Sequence, residues 1–339
     1  MTRLYRFALA TVLFTLALIA IGSIARLHPA GSGCGNDWPL CNGSWLPSAA
    51  RESIVEYVHR VLAITVIAVA AATVLTAFRT SSATRNVRLF AAASLVALLF
   101  QSGVGGFAAR WGAPAAVAVA HLASAMFFLA FALMTLAAVA AARGEPDWLA
   151  DLGRASIRSA DRPFAIVAAV GAATALILLI FGASTTASGA FACATWPLCA
   201  EGADGTGGFL VVHLGYRATA LLGTLAAGST AVFAWQRRAP ATARYLTGIA
   251  LVLVALQSAM NAAASATGDP VWMSAPNLIV ATLFWMSMLG VALVAWGPRP
   301  KRAASEHSAV PAAGSHTELV SGIRSDSASA PQGALTLAA

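Results

Sequence analysis

The chain has 339 residues, of which 59% are hydrophobic and only 10% charged, with a mean hydropathy of +0.76. Soluble chains carry about 25% charged residues, so a water-soluble globular domain is excluded and the bilayer is the expected solvent. The formal net charge of +8 raises nucleic acid as a partner, a reading that the placement of the basic residues along the chain then removes.

Crossing roughly 30 Å of hydrocarbon takes about 20 predominantly apolar residues in a helix. The first such stretch, 4–25, has no charge between Arg6 and Arg26. Its apolar run exceeds the ~7–15 residues of a secretory signal, and it is expected to be retained. A loop with Cys34 and Cys41 leads to the second span, 55–78, which opens with Glu56, His59 and Arg60. The third, 88–109, carries Gln101-Ser102, and the fourth, 114–141, carries His121. The segment 143–162, with Arg143, Glu145, Asp147, Asp151 and Arg154, is a polar linker that divides the chain at its middle. Four more spans follow at 163–183, 209–234, 243–263 and 271–296. Cys193 and Cys199 lie in the loop after the fifth, His213 and Arg217 in the sixth, Gln257-Ser258 in the seventh and Asn277 in the eighth. Residues 298–339 form an Ala/Ser/Gly-rich tail without apolar period, the composition of a disordered segment.

With the N-terminus inside, every Lys and Arg except Arg26, Arg51, Arg60, Arg110 and Arg217 falls on the inner side. The positive-inside rule then predicts a multi-pass plasma-membrane protein with both termini cytoplasmic. The basic charge reports topology, so membrane lipids are expected as neighbours and nucleic acid is not.

The two halves repeat each other. Trp38-Pro39-Leu40-Cys41 recurs as Trp196-Pro197-Leu198-Cys199, each preceded by another cysteine, and Gln101-Ser102 recurs as Gln257-Ser258. Twenty residues beyond each Gln lies His121-Leu122 in one half and Asn277-Leu278 in the other, and His59 and His213 both stand near the start of a span. With four spans per half, both halves insert in the same orientation, as parallel repeats about an axis along the membrane normal. The expected fold is therefore an all-α integral membrane protein: eight transmembrane helices as two pseudo-symmetric four-helix bundles, 1–142 and 163–297. The pairs Cys34/Cys41 and Cys193/Cys199 lie in outward loops, where an oxidising compartment favours disulfides. Free thiols are one alternative; a zinc site is another, lacking the paired short spacings and nearby histidines such sites use. Spacing does not separate a structural pair from a redox-active one.

His59, His121 and His213 sit inside spans at one depth, roughly 6–12 Å in at 1.5 Å per residue. Ionisable groups at membrane depth are costly and face the bundle interior. Two imidazoles at one height on neighbouring helices can clamp an iron from opposite faces of a flat macrocycle, which makes haem ligation the leading reading. A copper or zinc ion lacks further ligands of the usual type, and a proton relay is the other alternative. No Cys-x-x-Cys-His run exists, so a haem here is held without thioether bonds. Glu56 lies three residues before His59 and shares its helix face. As a buried carboxylate it suits passing a proton near an iron centre; the alternative is a headgroup-level pair with Arg60 or Arg51. Leu210 stands at the corresponding position before His213, so the halves are chemically unequal. Arg60 and Arg217 are candidate contacts for haem propionates, Arg217 with snorkelling as its alternative.

On these residues the sequence resembles haem A synthase. The resemblance spans about 1–297 and rests on four matches: Gly31-Ser32-Gly33-Cys34 with Asp37-Trp38-Pro39-Leu40-Cys41, Glu56-Tyr57-x-His59-Arg60, Gln101-Ser102-Gly103-x-Gly105-Gly106, and His121-Leu122. It implies a bundle of two four-helix halves that oxidises the C8 methyl of haem O to the formyl of haem A by successive hydroxylations, in the cytochrome oxidase assembly pathway. On that pattern His59 and His121 flank the substrate haem, Glu56 assists the chemistry, and the outer cysteine pair supports haem handling. His213 ligates a haem b cofactor in the second half. Haem O synthase and an electron donor are the implied partners, with a homo-oligomer left open. The pattern places a histidine at position 277, opposite His213, where this sequence has asparagine. An amide is a poor iron ligand, so a second haem is expected to be five-coordinate, to use another group such as Met273 one turn earlier, or to be absent. The alternative function is a b-type haem electron carrier or haem-binding protein without oxygenation activity. A repeat-built transporter ranks below both, because the polar groups cluster near the outer face and not at the midplane.

Overall fold

The computed structural model describes residues 1–26, 33–36, 40–143, 162–187, 207–267 and 271–296. Among these are eight helices: α1 Thr2–Ala25, α2 Arg51–Arg79, α3 Arg85–Trp111, α4 Ala115–Arg143, α5 Arg162–Ala187, α6 Gly207–Gln236, α7 Ala241–Thr267 and α8 Val271–Trp296. Each is long and apolar enough to cross a membrane. The polar linker inside 144–161 and the tail 298–339 lie outside the described residues.

Every helix matches one predicted span, and several run up to a turn further. Hydropathy marks the hydrocarbon thickness, whereas the hydrogen-bond ladder continues through the headgroup layer until a capping signal stops it. α3 shows both kinds of signal. The Thr84 hydroxyl accepts the Val87 N–H at 3.3 Å to start the helix. Gly112, at φ +92°, ends it in a conformation that side chains disfavour, and Pro114 then leads into α4. Hydroxyls within the spans are satisfied locally, since lipid offers no partner: Thr15, Thr73 and Thr135 each donate to the carbonyl four residues back. Thr11 and Thr73 also join α1 to α2 at 3.1 Å.

The order of neighbours is the same in both halves. α1 packs on α2, α2 on α3, α3 on α4 and α4 on α1; α5 packs on α6, α6 on α7, α7 on α8 and α8 on α5. Between the halves, α4 meets α5 and α1 meets α8. α4 and α8 are accordingly the most enclosed spans, with 61% of their apolar windows buried against 22–44% for the others. The contacts are made largely by small residues, among them Ala8, Ala70, Ala132, Ala168, Ala227 and Ala250. In lipid there is little hydrophobic drive between helices, so close backbone approach and dispersion hold them together. Phe128, Phe164, Phe284 and Met288 fill the remaining volume.

Candidate functional site

His59 lies eight residues into α2, and His121, His213 and Asn277 each lie six residues into α4, α6 and α8. All four therefore stand about 9–12 Å from one end of their helices at 1.5 Å per residue. The side chain of His213 and the pair Cys193 and Cys199 lie outside the described residues.

Above His59 sits a loop closed by the Cys34–Cys41 disulfide, the one predicted pair that falls within the described residues. Both cysteines are buried. α2 anchors this loop with three side chains. Ser53 Oγ donates to the Gly33 carbonyl at 2.6 Å. The Glu56 carboxylate takes the Cys34 N–H on Oε2 at 3.1 Å and the Arg60 guanidinium on Oε1 at 2.6 Å. Arg60 in turn donates to the carbonyls of Leu40 and Gly35. Glu56 and Arg60 follow each other by four residues on one face of α2, so a single helix presents an acceptor to the loop's N–H and donors to its carbonyls. Arg60 is 8% exposed and Glu56 20%; at that depth an ion pair persists only when its remaining hydrogen-bonding capacity is used. The sequence offered Glu56 two roles, proton handling or pairing with an arginine, and the structure places it against Arg60.

Below the loop, the two imidazoles are each seated against the backbone of a neighbouring helix. A Cβ added to Gly22 of α1 would stand 2.8 Å from Cε1 of His59, and one added to Gly105 of α3 would stand 2.7 Å from Cε1 of His121. Both distances are too short for real carbon atoms, so glycine is what admits each ring. The His59 ring also lies against the carbonyl of Leu18, and Nε2 of His121 lies 3.2 Å from Nε2 of Gln101. Arg26, at the end of α1, donates to the Ala118 carbonyl at 3.1 Å, three residues before His121 on α4. α1 thus meets both histidine helices at this level, His59 of α2 against Gly22 and the α4 backbone before His121 through Arg26. Neither Arg26 nor the glycine seats were identified from the sequence; the Gly105 seat was visible only as part of the Gln101–Gly106 motif.

Each ring leaves Nδ1 buried without a hydrogen-bond partner among the described residues. Buried nitrogens are normally paired, so the two unpartnered ring nitrogens leave binding capacity that an occupant of the site would take up, as a ligand lone pair in the tautomer that carries its proton on Nε2. Among the described residues no group of three His, Cys, Asp or Glu side chains stands together for a bare ion. A porphyrin iron brings four nitrogens of its own and asks the protein for only two axial ligands, which matches the donor set of this half.

The second half differs. Asn277 Nδ2 donates to Asn261 Oδ1 at 3.0 Å, and Asn261 Nδ2 donates to the Tyr216 hydroxyl at 3.1 Å. Asn277 is legible in the sequence as the residue opposite His121 in the repeat, whereas Asn261 and Tyr216 carry no such signal. Arg217, next to Tyr216 on α6, is half-buried.

The sequence pattern of the COX15-CtaA family, described as "Cytochrome oxidase assembly protein", matches residues 5–310. Similar curated proteins include "Heme A synthase" of Bacillus licheniformis, 30% identical over 129 residues, which are 37% of this chain and 43% of that protein. "Heme A synthase" of Geobacillus kaustophilus is 33% identical over 132 residues, 38% of this chain and 42% of that protein. "Heme A synthase" of Exiguobacterium sibiricum is 29% identical over 199 residues, 57% and 63% of the two chains. The alignments thus span less than half the length of the first two relatives. Because the family match covers nearly the whole chain, and eight membrane-length helices carry it, this multi-pass membrane protein belongs to the cytochrome oxidase assembly protein family.

Proposed function

We propose that the chain is a haem A synthase-type oxidoreductase, converting the C8 methyl of haem O to the formyl group of haem A by successive hydroxylations. The observation that carries this reading is the pair His59 and His121, each seated on a glycine and each with a buried, unpartnered ring nitrogen. In this reading residues 1–142 form the substrate half and 163–297 a second half that holds a haem b cofactor through His213. The bound haem supplies iron-centred redox chemistry. The chain's own residues would hold and orient it: the imidazoles of His59 and His121 would be its protein ligands, and Arg26 would supply positive charge at the same end of the bundle. Arg60 and Arg217 are the proposed propionate contacts. Glu56, one turn from His59 on the same face, couples the imidazole's helix to the Cys34–Cys41 loop and is the proton-handling group nearest to it in sequence. The protein sits in the plasma membrane with both termini cytoplasmic, receives haem O from haem O synthase, and exchanges electrons with a redox partner.

The direct test is expression of the full chain in cells that make haem O but no haem A, followed by chromatography of extracted haems. Haem A or its hydroxymethyl precursor is expected, and His59→Ala or His121→Ala should lower the yield at least tenfold. Extracts holding neither product, with the protein present in the membrane, overturn the proposal. The second reading, a b-type electron carrier, draws support from the engagement of Glu56 with Arg60 and Cys34. The Glu56→Gln variant distinguishes the two: a carrier keeps its reducible spectrum and midpoint potential, whereas the oxidoreductase keeps the spectrum and loses product.

A further inference from the structure

The halves can be laid over each other through Gln101 and Gln257. Twenty residues on, His121 corresponds to Asn277; four residues on, Gly105 corresponds to Asn261. These two differences touch each other. In the first half the His121 ring occupies room that only a glycine at position 105 leaves. In the second half position 261 carries a side chain, and that side chain is what Asn277 bonds, at 3.0 Å. Asn261 is held from its other end by the Tyr216 hydroxyl at 3.1 Å. The Tyr216 ring lies 3.3 Å from where a Cβ on Gly182 of α5 would stand, so the chain of contacts runs from α5 to α8.

The glutamines record the same exchange. The amide nitrogen of Gln101 has His121 as its partner, whereas the side-chain oxygen of Gln257 is buried with no partner among the described residues. A histidine at 277 would give Gln257 such a partner, but its ring would have to enter the space Asn261 fills. The second half has therefore replaced a Gln–His pair seated on glycine by an Asn–Asn–Tyr chain.

We propose that Asn261, Asn277 and Tyr216 occupy the place of the second axial imidazole, so that the C-terminal half does not hold iron between two histidines, and that residue 261 is the gate. Restoring the histidine alone is not enough; the side chain at 261 must be removed with it. This inference rests on the proposed function only in taking the His59/His121 arrangement as the template of a bis-imidazole clamp.

The test uses the full chain purified in detergent from haem-replete cells. The readouts are haem equivalents per protein and the low-spin bis-imidazole signal in electron paramagnetic resonance. The unaltered protein should show about one low-spin equivalent, lost in His59→Ala and unchanged in His213→Ala. Asn277→His should add nothing. Asn261→Gly combined with Asn277→His should raise the signal about twofold, and adding His213→Ala should remove that gain. Asn261→Ala with Asn277→His serves as a second double variant should the glycine loosen α7, and the thermal midpoint of each identifies folded protein. A His213-dependent low-spin signal in the unaltered protein, or its full appearance with Asn277→His alone, overturns the inference, as does a folded double variant that gains none. Absence of a His59-dependent signal sinks the haem-clamp reading and leaves the His213-dependent arms still decisive for residue 261.

Discussion

At the residue scale, the site depends as much on side chains that are missing as on those present. The spacing of Glu56, His59 and Arg60 in sequence was enough to put them on one helix face, because the 3.6-residue period is a local property of the chain. It was not enough to say what they touch. Whether Glu56 stays with Arg60 or turns toward the His59 imidazole depends on a loop more than 20 positions away, whose Cys34 N–H it accepts. The glycine seats were hidden for the same reason: Gly22 reads as an ordinary small residue of a span until α2 is laid against it. From the 2.7 Å approach of His121 to the Cβ position of residue 105, Gly105→Val is expected to expel the ring from its seat. Haem bound by the first half should fall at least tenfold, measured by pyridine haemochrome on protein of unchanged oligomeric profile. Overpacking of this kind costs about 1–3 kcal/mol in stability, so thermal unfolding should shift only modestly while ligation is lost.

At the scale of elements, α2 and the loop before it behave as one unit. The disulfide closes a short ring, seven residues in sequence separation, and Ser53, Glu56 and Arg60 dock that ring onto the first three turns of the helix. Removing the cross-link by Cys34→Ser with Cys41→Ser should cost about 2.5 kcal/mol in the chain-entropy account of a loop this size. The loss should appear first as protease cleavage between residues 33 and 50, before any change in the α3 and α4 spans. Cleavage no faster than in the oxidised parent would mean that the side-chain anchors alone hold the loop. Oxidising conditions outside the cytoplasm pointed to this pairing from the sequence. Its docking by Glu56 and Arg60 followed only once the ring was seen packed on the helix.

At the scale of the whole molecule, the duplicated order of neighbours brings α4 and α8 to the centre, each flanked by helices of both halves. These are the helices that carry His121 and Asn277, so one of the chemical differences between the halves that the sequence exposed lies on the two most enclosed helices. The orientation of the bundle is open to direct measurement. Trp45, 76% exposed in the loop before α2, and Ser82, exposed in the turn between α2 and α3, should lie on opposite sides of the membrane. Relative to the parent chain, Trp45→Cys should react with a membrane-impermeant thiol reagent in intact cells, and Ser82→Cys only after permeabilisation. The opposite labelling pattern would reverse the topology derived from the arginines.

The sequence by itself determined the number of spans, their lengths to within a turn and the duplication, and its loop charges predict which side of the membrane each loop faces. Each of these is a sum over neighbouring residues, hydropathy along a window or charge along a loop, and needs no knowledge of what the helix packs against. Only the tertiary structure decided which partner every buried polar group found. His59 with Gly22, His121 with Gly105, Glu56 with Cys34 and Asn277 with Asn261 join residues on different elements, and whether they meet depends on how closely two helices approach. In lipid that distance is set by small side chains at the contact and not by hydrophobicity, so it is fixed by the assembled bundle and by no segment of it alone.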